Sequence, residues 1–177
     1  MSRLRITGGR WRSRLIKVAD VPGLRPTPDR VRETLFNWLG QDLSGWHCLD
    51  LFAGSGILGF ECASRGAAEV VLVERDRAAF AQLEKNAALF GDERLRLIRA
   101  DALEFAASAD RPFELILLDP PYRQGWLERL APFLPRLAGT ETLIYAEAEQ
   151  RIESLGEWRA IKAGRAGQVF YHLLEHR

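Results

Sequence analysis

Cysteine, histidine and long apolar runs are scarce in this sequence. Its 177 residues include two cysteines, Cys48 and Cys62, and three histidines. The two cysteines are not in C-x-x-C spacing, so we expect reduced core thiols and no metal site. No apolar run reaches the 18 residues needed to span a bilayer, and the first 17 residues alternate arginine with apolar residues instead of forming a secretory signal. These absences predict a cytoplasmic protein.

Charge is nearly balanced overall but unevenly distributed. The net charge is +1, and 47% of the residues are hydrophobic, enough for one globular core without metal or disulfide support. Residues 1–40 hold nine basic and three acidic residues, which leaves the other 137 residues with a net charge of −5. A basic region on a mildly acidic body is typical of a protein that holds a polyanion in one place.

The basic region begins with two short alternating segments, residues 3–7 and 14–18, separated by Gly8 and Gly9. This pattern predicts a small β-ribbon. We expect residues 1–24 to form a basic arm that contacts RNA, because arginine neutralises phosphate and an aromatic ring can stack on a base. A solvated charged arm without a ligand is the alternative. The candidate RNA-binding residues are Arg3, Arg5, Arg10, Trp11, Arg12, Arg14 and Arg25.

A helix is predicted to follow the sequence R-P-T-P. Thr27 is a favourable N-cap residue, Pro28 suits the first helical position, and Asp29 favours the positive end of the helix dipole. Apolar residues recur at every fourth position from Val31, and Gly40 is expected to end the helix. This helix opens the main domain, which we expect to cover residues 25–177.

From residue 46 onwards, short apolar runs alternate with helical patterns. Such alternation predicts an α/β fold with a seven-stranded, mostly parallel, doubly wound sheet and helices on both faces. The last two strands are joined through glycines and are expected to form an antiparallel edge. The predicted strands are 47–51, 69–73, 95–99, 113–118, 142–146, 158–162 and 168–174; the predicted helices are 57–65, 77–89, 102–109 and 124–137.

Residues 50–59 read D-L-F-A-G-S-G-I-L-G and lie between a predicted strand and a predicted helix. The glycines match a dinucleotide-binding turn, in which backbone N–H groups approach a ligand at the helix N-terminus. A carboxylate at Asp50 would repel a pyrophosphate, whereas it suits the cationic end of S-adenosylmethionine. The candidate cofactor-binding residues in and after this turn are Asp50, Phe52, Gly54, Ser55, Gly56 and Glu74.

An acidic residue follows each of the first four predicted strands of the sheet: Asp50, Glu74, Asp101 and Asp119. Ligands bind beyond the carboxyl ends of strands in a doubly wound sheet, so these acids should converge on one ligand. Glu74 can accept both ribose hydroxyls. Asp101 can accept from an adenine amine while the Ala102 N–H donates to the ring, although Asp101 can equally be a helix N-cap.

The fourth strand is followed by Asp119-Pro120-Pro121-Tyr122. An aromatic amine is a poor nucleophile, and acceptors for both of its hydrogens favour its pyramidal form. The Asp119 carboxylate and the Pro120 carbonyl can be these acceptors, held stiffly by the two prolines. Tyr122 offers a ring on which an unstacked base can lie. The pattern predicts methyl transfer to an exocyclic amine, with Asp119 or water removing the proton late.

Four blocks carry a resemblance to a known family. Residues 5–12 read R-I-T-G-G-R-W-R, residues 25–39 read R-P-T-P-D-R-V-R-E-T-L-F-N-W-L, the glycine turn continues through S-R-G-A at 64–67, and residues 117–122 read L-L-D-P-P-Y. These blocks are similar to those of the RsmD family, bacterial enzymes that methylate N2 of a guanine in 16S ribosomal RNA. The R-P-T-P block is much more specific than the glycine turn.

The resemblance implies a Rossmann-like class I methyltransferase fold with S-adenosylmethionine as cofactor. It implies that Asp50, Gly54, Gly56, Glu74 and Asp101 bind this cofactor, and that the D-P-P-Y turn presents the guanine amine. It also implies that the arm grips RNA within small ribosomal subunits, next to ribosomal proteins. The block containing Arg25, Thr27 and Arg30 can contact the cofactor's amino-acid end, the RNA backbone, or only the rest of the domain.

Three other functions compete with this interpretation. A nicotinamide-dependent oxidoreductase would explain the glycines and Glu74 but not Asp50 or the D-P-P-Y turn. A DNA adenine N6-methyltransferase would use the same turn, although little chain is left for a DNA-reading domain. A non-catalytic RNA-binding factor would have no need for acids at four strand ends.

Overall fold

The N-terminal arm is a two-stranded ribbon that packs against the main domain. The structure, a computed structural model, describes residues 2–177. Strands β1 (Ser2–Arg5) and β2 (Leu15–Val18) pair antiparallel, as predicted. Ile16 and Val18 are buried, whereas Leu15 and Lys17, which alternate with them, are exposed. This period-two alternation turns one face of the ribbon towards the domain and the other towards solvent.

The main sheet has five parallel strands followed by three antiparallel ones. Its spatial order is β5-β4-β3-β6-β7-β10-β9-β8, and the predicted seven strands are all present. An eighth strand that the sequence did not predict has two residues and pairs at the edge with β9. The strands are β3 (His47–Asp50), β4 (Glu69–Glu74), β5 (Leu95–Arg99), β6 (Phe113–Leu118), β7 (Ala138–Ala148), β8 (Ser154–Leu155), β9 (Trp158–Ala166) and β10 (Val169–His176).

Helices cover both faces of this sheet. The ribbon and α1–α3 pack on one face, and α4–α6 pack on the other. The predicted helix over 124–137 is instead two short helices joined by a 3₁₀ turn at Ala131–Phe133. Pro132 and Pro135 lack the N–H groups that a continuous helix would need. The helices are α1 (Asp29–Leu39), α2 (Ile57–Ser64), α3 (Arg77–Ala88), α4 (Ala102–Ser108), α5 (Trp126–Leu130) and α6 (Leu134–Leu137).

Thr27 does not cap α1, contrary to the prediction. The helix begins at Asp29, its N-cap is Pro28, and no side chain bonds to its first N–H groups. The Thr27 hydroxyl instead lies 3.2 Å from Asp119 Oδ2 and 3.1 Å from Glu147 Oε2. Contacts with two other strands therefore override the local preference of threonine for a helix cap. The predicted end of the helix at Gly40 is confirmed.

A buried ion network joins the arm to α1 and α2. Glu61 accepts from Arg32 Nη1 at 2.6 Å and from Arg65 Nη1 at 2.7 Å, and it also accepts from the Thr7 backbone N–H and hydroxyl. Arg32 is 0% exposed and also donates to the carbonyl oxygens of Arg5 and Thr27. We call Thr7, Arg32, Glu61 and Arg65 the balanced cluster, because each buried charge in it has a charged partner.

The turn between the two ribbon strands rests on the end of α2. Ser64 Oγ donates to the Gly8 carbonyl at 2.6 Å and accepts from the Trp11 N–H at 2.8 Å, while the Ser64 carbonyl accepts from the Arg10 N–H. A Cβ atom at Gly9 would lie 2.2 Å from the Ser64 carbonyl oxygen, so only glycine permits this close approach.

Two absences hold for residues 2–177. No helix among them is long and apolar enough to cross a membrane. No group of three or more histidine, cysteine, aspartate or glutamate side chains in that range is arranged to hold a metal ion.

Candidate active site

A cavity of about 740 Å³ opens at the carboxyl ends of the parallel strands. It lies where the strand order reverses between β3 and β6, which is the position where doubly wound sheets bind ligands. The segment before α1, the glycine turn, the end of β4 and the D-P-P-Y turn all contribute to its walls. The topology therefore brings together the motifs that the sequence analysis singled out.

The glycine turn forms one wall, and its glycines serve packing inside the protein. Gly54 and Gly56 have φ angles of +55° and +90°. A Cβ atom at Gly54 would lie 2.7 Å from Leu24 Cδ1, and one at Gly56 would lie 2.5 Å from both Leu83 and Phe60. The space that glycine leaves is thus filled by protein side chains, which differs from the predicted role of giving a ligand access to the backbone.

Glu74 braces this turn from the end of β4. Its Oε1 accepts from the Gly54 N–H at 2.8 Å, and its Oε2 accepts from the Asp76 N–H at 2.8 Å. The carboxylate lines the cavity, and each oxygen keeps a second lone pair for a further donor. Glu74 can therefore hold the turn and accept from a ligand hydroxyl at the same time.

Asp101 is the N-cap of α4, one of the two roles predicted for it. Its Oδ1 accepts from the Leu103 N–H at 2.8 Å and the Glu104 N–H at 3.3 Å, and its Oδ2 lies 3.4 Å from an Arg75 guanidinium nitrogen. Of the described residues at this strand end, Ala102 lines the cavity and Asp101 does not.

Asp50 lies beneath the cavity wall and is 1% exposed. Its Oδ2 accepts from the Gly59 N–H at 3.1 Å, and its Oδ1 has no hydrogen-bond partner among residues 2–177. Burial raises the pKa of this carboxyl to about 7, and the charge of Glu74 adds to this, whereas the Gly59 and Phe52 backbone N–H groups lower the pKa. An orphaned buried acceptor of this kind is stabilised by any cation or N–H donor that comes near.

The D-P-P-Y turn, which follows the strand next to β3, forms another part of the wall. Asp119, Pro120 and Tyr122 all line the cavity, and both Asp119 and Tyr122 are half-buried. The Arg25 guanidinium lies 4.5 Å from the centre of the Tyr122 ring, a cation–π contact. The segment that carries Arg25 and Thr27 therefore packs directly on the turn that is expected to hold the reacting amine.

Glu147 is a member of this site that the sequence analysis missed. It lies on β7, is 4% exposed and lines the cavity. Its Oε2 accepts from the Tyr145 hydroxyl at 2.8 Å and lies 3.1 Å from Thr27 Oγ1. A signal for it was present, because Glu147 follows the fifth predicted strand as the other four acids follow theirs.

The site carries an excess of negative charge. Burial raises the pKa of Asp119 well above its usual range, and the neighbouring Glu147 raises it further. Burial also raises the pKa values of Glu147, Tyr122 and Tyr145. We call Asp50, Glu74, Asp119 and Glu147 the unbalanced cluster, because no buried cation pairs with these acids among the described residues.

The arm does not present all of its predicted RNA contacts. Trp11 is 5% exposed and stacks on Phe90 with 4.1 Å between ring centres. The prediction that Trp11 is a platform for a base is therefore wrong, because the ring is part of the core. The arginines around it remain exposed: Arg3, Arg5, Arg10, Arg12 and Arg14.

Comparison with known proteins identifies the family. The family model described as Conserved hypothetical protein 95 matches residues 4–175. Ribosomal RNA small subunit methyltransferase D of Escherichia coli is 44% identical to this chain, over 97% of the chain and 89% of the relative. The chain belongs to the RsmD family. The Haemophilus influenzae member of the RsmD family is 36% identical over 98% of this chain and 94% of its own length.

Solved structures agree with the RsmD fold. The structure of yhhF from Escherichia coli superposes with a TM-score of 0.89 at 43% identity and covers 99% of both chains. An RNA methyltransferase from Salinibacter ruber, solved with S-adenosyl-L-homocysteine, shares the fold at 19% identity with a TM-score of 0.66, over 86% of this chain and 94% of that one. The predicted family, the Rossmann-like methyltransferase fold and the enzyme class are confirmed for this RsmD-family chain.

Proposed function

We propose that this protein transfers a methyl group from S-adenosylmethionine to the exocyclic N2 amine of one guanine in 16S ribosomal RNA. The substrate is the assembled or assembling small subunit in the cytoplasm. One observation carries the proposal: the glycine turn and the D-P-P-Y turn line the same cavity. The names of the Escherichia coli and Haemophilus influenzae relatives, ribosomal RNA small subunit methyltransferases, support the substrate class.

The residues around the cavity fit a cofactor with a cationic end. The unbalanced cluster and the orphaned Asp50 Oδ1 beneath the turn favour a cation over a pyrophosphate. Glu74 would accept the ribose hydroxyls, and the Ala102 N–H would donate to the adenine. The remaining contacts would come from Phe52, Gly54, Ser55 and Gly56. S-adenosylmethionine supplies the methyl group there, and its leaving group is a neutral thioether.

The D-P-P-Y turn would hold the guanine amine in line with that methyl group. The Asp119 carboxylate and the Pro120 carbonyl accept the two amine hydrogens, and the two prolines hold both acceptors rigid. Tyr122 stacks on the base after the base leaves its helix, as base-modifying enzymes require. The Arg25 guanidinium already covers one face of this ring and can contact the phosphate next to the base.

RNA binding would depend on the exposed arginines of the arm, Arg3, Arg5, Arg10, Arg12 and Arg14, together with Arg25. Each arginine that neutralises a phosphate releases counterions, so binding should weaken steeply with salt. The arm and the cavity would then contact the same subunit, with ribosomal proteins next to the arm.

The test is methyl transfer from labelled S-adenosylmethionine to small ribosomal subunits from cells lacking the endogenous enzyme, followed by nucleoside analysis. We expect one N2-methylguanosine per subunit, and none with Asp119→Asn. In a parallel assay with DNA in place of subunits, label in N6-methyladenosine would instead support the DNA methyltransferase alternative. Bound cofactor without any labelled nucleic acid would overturn the proposed reaction.

A further inference from the structure

Four side-chain oxygens form a continuous buried chain behind the D-P-P-Y turn. The Tyr145 hydroxyl donates to Glu147 Oε2 at 2.8 Å, Glu147 Oε2 lies 3.1 Å from Thr27 Oγ1, and Thr27 Oγ1 lies 3.2 Å from Asp119 Oδ2. Tyr145, Thr27 and Glu147 are buried, and Asp119 is half-buried at the cavity. The chain therefore runs from the sheet interior to the carboxyl group that faces the substrate.

The number of hydrogens in this chain requires an added proton. A threonine hydroxyl has one hydrogen, so Thr27 can donate to Asp119 or to Glu147 but not to both. The second contact would place a hydroxyl lone pair against a carboxylate lone pair unless one carboxyl group is protonated and donates to Thr27. Because unmet polar contacts are costly in buried sites, the geometry favours one proton and one negative charge for the pair.

The electrostatic environment also favours a single proton on the Asp119–Glu147 pair. The Asp119 and Glu147 side chains also interact directly with each other, in a sense that favours Asp119 as the donor. Two carboxylates this close repel each other when both are ionised, as in other buried carboxyl pairs that share a proton. Burial raises the pKa of both Asp119 and Glu147. The titratable and charged groups that interact with the pair are Arg25, Asp50, Tyr122 and Tyr145. Beyond them, Glu149 acts on Tyr122 and Tyr171 acts on Tyr145.

We propose that Asp119 and Glu147 share one proton through the Thr27 hydroxyl, and that Glu147 takes this proton when the substrate amine reaches Asp119. This inference rests on the proposed role of Asp119 as the acceptor of the amine hydrogen. Glu147 and Thr27 are positioning residues in this scheme, because they act on the substrate only through Asp119.

The proton moves without a change in total charge. In the free protein the Asp119 carboxyl donates to Thr27, and Thr27 donates to an ionised Glu147 that also accepts from Tyr145. During the switch the proton of Asp119 moves to Thr27 Oγ1, so the Asp119 O–H bond breaks and a new Thr27 O–H bond forms. At the same time the original hydroxyl proton of Thr27 moves to Glu147. Asp119 is then the ionised member of the pair and can accept the amine hydrogen.

The first test needs no RNA or cofactor. Carbon-13 NMR of the free protein with labelled aspartate and glutamate carboxyl groups should show Asp119 titrating well above its usual range. In Glu147→Gln its titration should move to lower pH, because the neighbouring negative charge is gone. Asp119 and Glu147 both titrating in the ordinary acidic range, with no response of Asp119 to Glu147→Gln, would overturn the proposal.

The second test separates the relay from simple packing. Thr27→Val keeps the shape but removes the hydroxyl, and should lower kcat on small subunits by ~10²-fold while the cofactor Kd stays within a few-fold. Thr27→Ser keeps the hydroxyl and should restore kcat to within about tenfold of wild type. Equal losses in Thr27→Val and Thr27→Ser, with both variants folded by circular dichroism, would contradict the relay.

The two tests keep this inference distinct from the proposed function. If subunits are not the substrate, the turnover assay fails for every variant, including wild type, while the NMR titration still reports on the shared proton. If the shared proton is absent, wild-type turnover persists, whereas the titration and the kcat values of the Thr27 variants differ from expectation.

Discussion

The balanced and unbalanced clusters both hold charged side chains inside the protein, but the charges are paired in the first and unpaired in the second. In the balanced cluster, Glu61 is paired with Arg32 and Arg65, and every carboxylate oxygen has a donor. In the unbalanced cluster, Asp50 has an orphaned oxygen, and Asp119 and Glu147 face each other across one hydroxyl. Charges that hold the fold are thus neutralised inside the protein, whereas charges at the cavity are left for a ligand to neutralise.

This difference makes the pKa shifts informative about function. Buried ion pairs also perturb titration, so a shifted pKa alone does not mark an active site. Here the raised pKa values of Asp50, Asp119 and Glu147 occur at one cavity, and they are raised by burial with too few donors. Replacing a charged side chain by a neutral one should therefore destabilise the protein in the balanced cluster and stabilise it in the unbalanced cluster.

The largest effect is expected from Asp119→Asn. The amide cannot act as an ionised acceptor, so single-turnover methyl transfer to small subunits should fall by ~10³-fold or more. Cofactor affinity, measured by calorimetry, should stay within a few-fold, and thermal stability should not fall. An Asp119→Asn protein that turns over at the wild-type rate would remove Asp119 from the reaction.

Glu61→Gln should break the balanced cluster. It leaves Arg65 buried without its charged partner and Arg32 with only the exposed Asp29. Breaking a buried pair in this way typically costs about 3–5 kcal/mol of unfolding free energy. The matched control is Asp29→Asn, because Asp29 pairs with the same Arg32 but its side chain is 58% exposed. This control should cost at most about 1 kcal/mol in urea unfolding. Equal losses in the two variants would contradict the comparison.

Asp50→Asn should stabilise the protein at alkaline pH. Because the folded pKa of Asp50 is raised from 3.8 to about 7, the folded state binds more protons than the unfolded state between these values. The contribution of Asp50 to the free energy of unfolding is therefore largest below about pH 4. This contribution is lost as the pH rises through 7, by on the order of 4 kcal/mol at most.

The measurement for Asp50 is thermal unfolding from pH 5 to 9. Asp50→Asn should flatten the fall in Tm that wild type shows as the pH rises. Asp42→Asn serves as control, because hydrogen bonds from Ser44 lower the pKa of that exposed carboxyl, so its loss should not raise Tm at alkaline pH. Parallel curves of Tm against pH for wild type and Asp50→Asn would show that burial does not raise the pKa of Asp50.

The smallest effects concern the arm. Charge reversal by Arg10→Glu and Arg12→Glu together should weaken binding to small subunits by ~10- to 100-fold and reduce its salt dependence, while cofactor affinity changes little. Arg136→Glu, an exposed position on α6 across the sheet, is the control and should leave RNA affinity unchanged. Equal loss of RNA and cofactor affinity on reversal of the arm charges would refute the division of labour.

Much of the fold was predictable because its signals are local. The alternation of apolar runs and helical patterns defined the strands, and the D-P-P-Y and glycine motifs were each placed at a strand end. Thr27 was not predictable, since its helix-cap preference is local whereas its partners, Asp119 and Glu147, come from distant strands. Trp11 lies among arginines in the sequence. Its burial could not be predicted, because the ring on which it stacks, Phe90, is distant in the sequence.

In the balanced cluster, too, contacts between residues close in sequence were predictable and contacts between distant residues were not. The spacing of Glu61 and Arg65 on α2 is that of a helical ion pair and could be read from the sequence. The pairing of Glu61 with Arg32 joins two helices, and its bonds to Thr7 reach the arm, so neither follows from spacing. Contacts between elements were therefore the part that the sequence left unspecified.

The anchoring of the arm limits how this protein can be re-engineered. Thr7 bonds to Glu61, Arg32 donates to the Arg5 carbonyl, and Gly9 touches Ser64, so the ribbon fits a socket built from two helices. A chimera that grafts residues 1–24 onto another methyltransferase would lack this socket and leave the graft unanchored. Exchange of substrate specificity by swapping the arm would thus require transplanting Arg32, Glu61 and Ser64 with it.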